Sequence, residues 1–310
     1  MTESPSSSAP PVTPGAFRSR VLPSLWLVTA FGGLCAADLL GLGGAPPSAW
    51  LLPLATAVGI GATIEAAGLT ARIGVVPRRP LVAAAIGGMV VATAWAAGGW
   101  TATEPPTAWA GLGAAGVACS VGVACLFAAE LPVYRGGGGT VPRIAAGALV
   151  IVAVGMPLAF MVGLRLLRDA AGGICLVPLV SMIAVVKGSD VAAYLVGSRF
   201  GRHKMAPTVS PGKTWEGAAA GLAAAAGVAC VALAWQPEGS RPLGGAVGYG
   251  LAVGAAGMLG DLAESLVKRD LGVKDSGHSL GGLGGVLDLV DALLVAAPVA
   301  WLFWVAGGLR

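Results

Sequence analysis

The sequence predicts an all-α, polytopic integral membrane protein with about nine transmembrane helices. Its 310 residues are 56% hydrophobic and only 11% charged, whereas a soluble domain carries about 25% charged residues. The apolar residues also form blocks of the roughly 20 residues that a helix needs to cross the hydrocarbon core of a bilayer. Most ionisable residues are gathered in a few polar stretches between these blocks. Together these features exclude an ordinary soluble domain.

Nine apolar blocks are candidates for membrane spans, with edges defined only to within several residues. They cover residues 22–42, 50–69, 80–100, 107–128, 143–164, 171–187, 216–235, 243–266 and 288–307. The sixth block is short for a complete span, and the eighth is long. Residues 1–17 are instead rich in Ser and Pro and predict a disordered tail. Residues 18–310 are therefore expected to form a single membrane domain.

The first apolar block has a second interpretation, because Arg18 and Arg20 precede it as basic residues precede the apolar region of a secretory signal. The block is longer than such a region, and eight further apolar blocks follow it. We therefore expect a first membrane span here and not a cleaved signal.

The distribution of Lys and Arg predicts the orientation of the chain. With a cytoplasmic N-terminus and nine spans, 15 of the 19 basic residues fall on the cytoplasmic side and the other 4 fall outside. Cytoplasmic loops carry the excess of Lys and Arg in membrane proteins. The polar loops 188–215 and 267–287 would then face the cytoplasm. This pattern predicts a multi-pass protein of the inner (cytoplasmic) membrane.

The 50 glycines and many alanines are interpreted mainly as packing residues. Small side chains let membrane helices approach one another closely. The segment GAAAGLAAAAG at 217–227 is the clearest example.

The first polar stretch covers residues 187–217. Lys187, Asp190 and Tyr194 are spaced to share one helical face, and Gly197 and Gly201 are expected to interrupt the helix. A basic patch follows, which is either a solvated loop, a contact to lipid headgroups or part of a substrate site. Its members are Arg199, Arg202, His203 and Lys204.

Residues 210–217, SPGKTWEG, resemble a phosphate-binding P-loop only superficially. That motif needs a glycine where this chain has Pro207, and no buried strand is predicted before it. Ser210, Lys213 and Thr214 instead precede an apolar helix, whose N-terminal N–H groups favour phosphate. In the alternative interpretation, Ser210 or Thr214 only caps the helix and Lys213 extends to the membrane surface.

The second polar stretch, 261–291, combines acids, bases and glycines within otherwise apolar sequence. Four residues share one side of the eighth predicted helix, and two acids begin the ninth. These are Asp261, Glu264, Ser265 and Lys268, followed by Asp288 and Asp291. A lone carboxylate in an apolar environment would be neutralised, so Asp261 requires a cation or a basic partner. A structural ion pair between Asp261 and Lys268 is the alternative to a site for a divalent cation.

These residues resemble the CDP-diacylglycerol synthases (phosphatidate cytidylyltransferases) over about 187–305. The family elements S-D-x-x-A-Y, G-x-x-x-G and S-P-x-K-T-x-E-G match Ser189, Asp190, Ala193, Tyr194, Gly197, Gly201, Ser210, Pro211, Lys213, Thr214, Glu216 and Gly217. Its C-terminal elements match Gly260, Asp261, Ser265, Lys268, Arg269, Lys274, Asp275, Gly284, Gly285, Asp288 and Asp291. The chain departs from the family pattern at Leu283 and Leu289, where the family has His and Arg.

The resemblance implies a cytidylyltransferase, one of the nucleotidyltransferases, which converts CTP and phosphatidate to CDP-diacylglycerol and diphosphate in phospholipid biosynthesis. It also implies Mg²⁺ as cofactor, an active site that faces the cytoplasm, no nucleic-acid partner, and compatibility with a homodimer. Two alternatives stay open: a CTP-dependent enzyme acting on an isoprenoid lipid, and an inactive paralogue. The motif of the CDP-alcohol phosphotransferases is absent from the sequence. A transporter is disfavoured because the charge is concentrated at one face of the membrane.

Three groups of site residues follow from the residue patterns and the resemblance. The expected catalytic residues are Asp261, Asp288, Lys213 and Lys268. The expected nucleotide-binding residues are Asp190, Ser210, Lys213, Thr214, Arg269, Lys274, Asp275, Gly284 and Gly285. The expected metal ligands are Asp261, Asp288 and Asp291. Three further acids in or beside apolar blocks have two open interpretations, lining a lipid pocket or pairing structurally, and are assigned neither role: Asp38, Glu65 and Glu130.

Overall fold

A computed structural model describes most of the chain. The described residues are 26, 29–44, 48–98, 106–169, 172–236, 241–242, 244–273, 275–277 and 284–307. The predicted tail, 1–17, lies outside them. Within this part of the chain the fold is built from α-helices, with one short β-hairpin between two of them.

The helices follow one another through short connections. They are α1 (Thr29–Leu39), α2 (Leu51–Ala71), α3 (Arg79–Gly98), α4 (Ala108–Glu130), α5 (Thr140–Val150), α6 (Met156–Leu166), α7 (Val177–Phe200), α8 (Trp215–Leu233), α9 (Gly245–Asp270) and α10 (Val286–Ala306). A π-helical turn at Ile151–Gly155 joins α5 to α6. The hairpin strands are β1 (Lys204–Ala206) and β2 (Ser210–Thr214).

The helical, multi-pass membrane architecture is confirmed, but the count of nine spans is not. Eight described helical segments are long and apolar enough to cross a membrane, with α5, the π-helical turn and α6 forming one of them. The block predicted at 22–42 is represented by α1, which has only 11 described residues. That length is too short for a span by itself, since about 20 residues are needed.

The predicted end of the sixth span was wrong. The helix assigned to 171–187 is α7, which begins at Val177 and continues to Phe200. Gly197 therefore does not interrupt the helix, and Gly201 is its C-cap residue. Most of the stretch predicted as the loop 188–215 is this helix followed by the β-hairpin. Lys187 and Asp190 consequently lie on a rigid helix.

Glycines of α9 let its backbone approach three neighbouring helices. A Cβ atom on Gly250 would lie 2.5 Å from the carbonyl oxygen of Ala225 in α8, and one on Gly257 would lie 3.2 Å from Val186 in α7. A Cβ atom on Gly260 would lie 2.6 Å from the carbonyl oxygen of Asp291 in α10. The interpretation of the glycines as packing residues is confirmed at these positions, because an added side chain would displace backbone at Gly250 and Gly260 and crowd the Val186 side chain at Gly257.

Basic and aromatic residues mark opposite ends of the first long helices. Arg72 follows the end of α2, and Arg79 begins α3. Exposed tryptophans lie near the other ends of α2, α3 and α4, at Trp50, Trp95 and Trp109. Tryptophan is enriched where membrane meets water. The two ends of the bundle therefore have the chemistry expected of two membrane surfaces.

Two of the unassigned acids are buried and form ion pairs with arginines. At the end of α4, Glu130 accepts hydrogen bonds from Arg78 at 2.9 Å and from Arg143 at 2.7 Å. Near the opposite end of the bundle, the carboxylate of Asp38 in α1 pairs with Arg165 of α6 at 2.5 Å. The side chains of Asp38 and Arg165 are 0% and 4% exposed. The pairs with Arg143 and Arg165 join separate helices, and this gives Asp38 and Glu130 structural roles.

Loss of Arg165 should destabilise the fold more than loss of both members of its pair. Arg165→Leu leaves a buried, uncompensated Asp38 carboxylate, a change that costs about 3–5 kcal/mol in other proteins. The double variant Asp38→Leu/Arg165→Leu buries no charge and should recover most of the loss. Thermal unfolding of the purified variants in detergent measures both. Equal stability of single and double variants would contradict the pairing.

Candidate active site

Polar side chains from five elements converge at one end of the bundle. The elements are α2, α7, the β-hairpin, α9 and α10. α9 and α10 pack closely against each other, and α7 packs against both. Their polar residues lie near the middle of α7, in the C-terminal half of α9 and in the first turns of α10. This is the region in which the sequence predicted a site.

The β-hairpin connects α7 to α8 and presents Lys213. The strands are antiparallel, with Lys204 paired with Thr214. The hydroxyl of Thr214 accepts a hydrogen bond from the N–H of Gly217 at 3.1 Å and so caps α8. The helix cap predicted in that alternative is thus found at Thr214, and nucleotide binding by Thr214 stays a prediction. Lys213, the preceding residue, is directed away from the cap and toward α9.

Lys213 is the basic partner that Asp261 requires. Its ammonium lies 2.8 Å from the carboxylate of Asp261 and 3.5 Å from the carbonyl oxygen of Met258. The alternative in which Asp261 pairs with Lys268 was wrong. The Asp261 side chain is 41% exposed, so this ion pair is accessible to a ligand.

Lys268 instead bridges α9 and α10. Its ammonium lies 3.0 Å from Glu264, one turn earlier in α9, and 2.8 Å from Asp288 in α10. The side chains of Lys268, Glu264 and Asp288 are 13%, 8% and 15% exposed. Hydrogen bonds of charged groups strengthen when solvent is excluded. The bridge therefore fixes the relative position of the two helices at the site.

Asp288 also organises the loop before α10. Its carboxylate accepts hydrogen bonds from the N–H of Gly285 at 2.8 Å and from the N–H of Ser276 at 3.2 Å. Gly284 has φ +87°, a conformation that favours glycine. Gly284 and Gly285 were predicted to bind nucleotide, and the structure places both beside the Asp288 carboxylate.

Glu65 of α2 reaches the same loop, and sequence analysis assigned it no role. Its carboxylate accepts hydrogen bonds from the N–H groups of Val286 at 2.9 Å and Leu287 at 2.8 Å, and from the Ser276 hydroxyl at 3.3 Å. Glu65 is 7% exposed. The signal available in the sequence was an acid within an apolar span, a placement that is costly unless the acid has partners.

A group of acids lies beside these bridges. Asp291 of α10 is within electrostatic range of Asp261 and contacts Glu264. Asp190 of α7 is within range of both Asp261 and Asp291. The buried Oε1 atom of Glu264 has no hydrogen-bond donor among the described residues. Three helices thus direct carboxylates toward a common region.

Lys187 adds a third ammonium group to the site. It donates a hydrogen bond to the carbonyl oxygen of Leu289 at 3.2 Å and lies 3.7 Å from Asp190. Leu289 is one of the two departures from the family pattern. At this position the backbone carbonyl contacts Lys187 of the site, and the side chain packs against the hydrophobic core.

The remaining predicted nucleotide-binding residues are distributed around this centre. Arg269 donates hydrogen bonds to the carbonyl oxygens of Val209 at 3.2 Å and Val273 at 3.3 Å, and so ties the hairpin to the end of α9. Ser210 begins β2, on the same hairpin. Asp275 is exposed in the loop after α9. Lys274 and Leu283 lie outside the described residues.

The charges at this site are not balanced by the residues that form it. Among the described residues, the five carboxylates of Asp190, Asp261, Glu264, Asp288 and Asp291 are near three ammonium groups, those of Lys187, Lys213 and Lys268. Two negative charges are therefore in excess when all of these groups are ionised.

This charge excess and the unpartnered oxygen of Glu264 fit a divalent cation. Among the described residues, no three acidic, His or Cys side chains form a complete set of metal ligands. Mg²⁺ does not need such a set, since it commonly takes one or two carboxylates together with waters and substrate phosphates. The donors present are therefore compatible with Mg²⁺ bound together with a phosphate ligand.

Comparison with known proteins supports an enzymatic interpretation. The chain is 42% identical over 158 residues to the phosphatidate cytidylyltransferase of Mycobacterium bovis, an alignment that covers 50% of this chain and 49% of that protein. It is 43% identical over 159 residues to the Mycobacterium leprae protein of that name, an alignment that covers 50% of this chain and 48% of that protein. It is 46% identical over 127 residues to the Brucella suis protein of that name, an alignment that covers 40% of this chain and 46% of that protein. The chain thus spans about half the length of these relatives.

The family comparison covers much more of the chain. The profile described as the cytidylyltransferase family matches residues 19–306, which include every described helix and the hairpin. The resemblance inferred from the two polar stretches is thereby confirmed and extended to the N-terminal helices. This chain belongs to the cytidylyltransferase family.

Proposed function

We propose that the protein is a phosphatidate cytidylyltransferase, a nucleotidyltransferase that forms CDP-diacylglycerol and diphosphate from CTP and phosphatidate. The observation that carries the proposal is the group of carboxylates and lysines at one end of a membrane helix bundle. Such a site suits one substrate from water and one from lipid. The name shared by the relatives described above supports the same activity.

The orientation proposed for the chain brings CTP and the site to the same face. Fifteen of 19 Lys and Arg residues fall on that face under the predicted topology, and the positive-inside rule makes it cytoplasmic. The protein would then lie in the inner membrane with its site open to cytoplasmic nucleotide. A homodimer stays a prediction from the family resemblance.

The lysines of the site are proposed to receive phosphate. Lys213 is 22% exposed and lies at the end of the hairpin, where a triphosphate would approach from water. Lys187 lies beside Asp190 on α7 and is 41% exposed. Ammonium groups offset charge that develops on phosphate oxygens and on the departing diphosphate. Lys268, which is more buried, holds Asp288 and Glu264 in place.

The proposed reaction is a displacement at phosphorus. An oxygen of the phosphatidate phosphate attacks the α-phosphorus of CTP, a new P–O–P bond forms, and the bond to the β-phosphate oxygen breaks to release diphosphate. The attacking phosphate is already ionised near neutral pH, because its second pKa is about 6. The residues of the site therefore need not supply a general base. Their roles are to orient the two substrates and to stabilise charge.

We propose Asp261 and Asp291 as the principal carboxylates that would hold Mg²⁺, with Asp288 retained as a candidate ligand. Asp261 and Asp291 lie on facing helices within electrostatic range of each other, whereas Asp288 is engaged by Lys268 and by two backbone N–H groups. When bound, the ion would neutralise triphosphate oxygens and make the α-phosphorus more electrophilic.

The activity can be tested with purified protein, labelled CTP and phosphatidate. We expect CDP-diacylglycerol to form only when Mg²⁺ is present, and chelation with EDTA should stop the reaction reversibly. Isoprenyl phosphate in place of phosphatidate tests the second lipid class. Turnover of isoprenyl phosphate alone would replace the proposed substrate, and absence of turnover with every lipid would identify an inactive paralogue.

Substitutions of the acids should separate metal ligands from supporting residues. Asp261→Asn and Asp291→Asn should abolish Mg²⁺-dependent turnover while the protein still purifies as a folded species. Asp288→Asn should lower kcat but retain a measurable response to Mg²⁺, because it mainly loses contacts to Lys268 and the loop. The measurement is a Mg²⁺ titration of CTP turnover. Near-normal activity of Asp261→Asn would refute the assignment of Asp261 as a ligand.

Lys213→Ala should weaken binding of the triphosphate without removing the carboxylates. We expect KM for CTP to rise about tenfold or more, consistent with loss of a charge-assisted hydrogen bond worth about 1.5–3 kcal/mol. Arg135→Ala, which removes an exposed basic residue between α4 and α5, is the control and should leave KM unchanged. Wild-type kinetics for Lys213→Ala would leave Lys213 with a purely structural role.

A further inference from the structure

The Glu65 carboxylate joins α2 to the loop before α10 and to the first turn of that helix. Glu65 lies in α2, outside the stretch 187–305 that carries the recognisable motifs. Its three described hydrogen-bond donors are all in the loop before α10 or in the first turn of that helix. The contact therefore spans more than 200 residues of sequence, with separations of 211, 221 and 222 positions.

The surroundings of this carboxylate leave little space around it. A Cβ atom on Gly277 would lie 2.8 Å from Glu65 Oε1, and a Cβ atom on Gly285 would collide with Glu65 Oε2 and with the Ser276 hydroxyl oxygen. Two glycines of the loop thus enclose the carboxylate. A buried carboxylate is costly unless its hydrogen bonds are made, so the geometry of this contact is closely defined.

Glu65 contacts the start of α10, the helix that carries Asp288 and Asp291. The first N–H groups of a helix have no partner within the helix, and they carry its positive partial charge. Glu65 occupies two of these groups, at Val286 and Leu287. Asp288 follows in the same turn, and Asp291 follows one turn later. Any rotation or axial shift at the start of α10 would move both acids relative to Asp261.

We propose that Glu65 is a positioning residue for the cytidylyl transfer. It fixes the first turn of α10 and the adjoining loop, and it thereby holds Asp288 and Asp291 in register with the acids of α9. Glu65 itself contacts neither substrate in this proposal. The inference rests on the proposed function for its kinetic consequence, but the anchoring of α10 is independent of that function.

The test uses Glu65→Gln, Glu65→Asp and a matched control. Glutamine keeps the size of the side chain but replaces one acceptor oxygen with a donor, so it cannot accept all three hydrogen bonds. Aspartate keeps the charge but is shorter by one methylene group. The control is Glu130→Gln, which alters another buried carboxylate of the bundle that contacts Arg78 and Arg143 and not α10.

For Glu65→Gln we expect kcat per folded protein to fall about 10- to 100-fold, as for residues that orient metal ligands. KM for CTP should change far less, since Lys213 is untouched. Glu65→Asp should recover part of the loss. Glu130→Gln should lower the melting temperature but leave kcat per folded protein unchanged. Wild-type kcat in Glu65→Gln, or an equal loss in Glu130→Gln, would overturn the proposal.

Amide hydrogen exchange of the full-length protein gives a readout that is independent of turnover. Glu65→Gln should accelerate exchange at Val286 and Leu287, and Glu130→Gln should not. If the wild-type protein transfers no cytidylyl group to any lipid, the proposed function fails, and exchange alone decides the inference. Faster exchange at α10 then supports the anchoring by Glu65, whereas unchanged exchange overturns it.

Discussion

The structure depends on compensation of carboxylates at the end of a membrane helix bundle. Water is scarce among packed helices, so each acid must find a base, a set of N–H groups or a cation. Asp261 has Lys213, Asp288 has Lys268 and Glu65 has the start of α10. These contacts join α2, the hairpin, α9 and α10. The interactions that offset the cost of burying these acids therefore also bring the elements of the site together.

Some acids of the bundle have basic partners for their full charge, and others do not. Glu130 has two arginines and Asp38 has one, and both pairs hold helices together. Around Asp261 and Asp291, by contrast, the acids outnumber the described basic groups. Structural ion pairs need no external partner, whereas a site with excess negative charge provides affinity for a cation that arrives with its substrate. This difference separates the acids that we propose as metal ligands from the structural ones.

Much of this arrangement was accessible from sequence, because the signals were local. Helical spacing placed Asp261, Glu264 and Lys268 on one side of a helix, and an acid far inside apolar sequence indicated a required partner. The partners themselves are contacts between distant segments, which spacing cannot supply. Lys213 was therefore predicted near phosphate but not against Asp261, and Glu65 was noticed without a role. The end of α7 was missed because glycine was expected to end a helix that packing sustains.

The close contact of α9 with α10 has a consequence for how this site can change. Gly260 touches the backbone at Asp291, and the residue after Gly260 is Asp261. Because Gly260 has only a hydrogen atom in place of a side chain, α9 and α10 lie close together, and this sets the separation of Asp261 and Asp291. Even one added methyl group would widen that separation and tilt both helices. We therefore expect substitutions in related sequences to be tolerated more readily on lipid-facing surfaces than at Gly260.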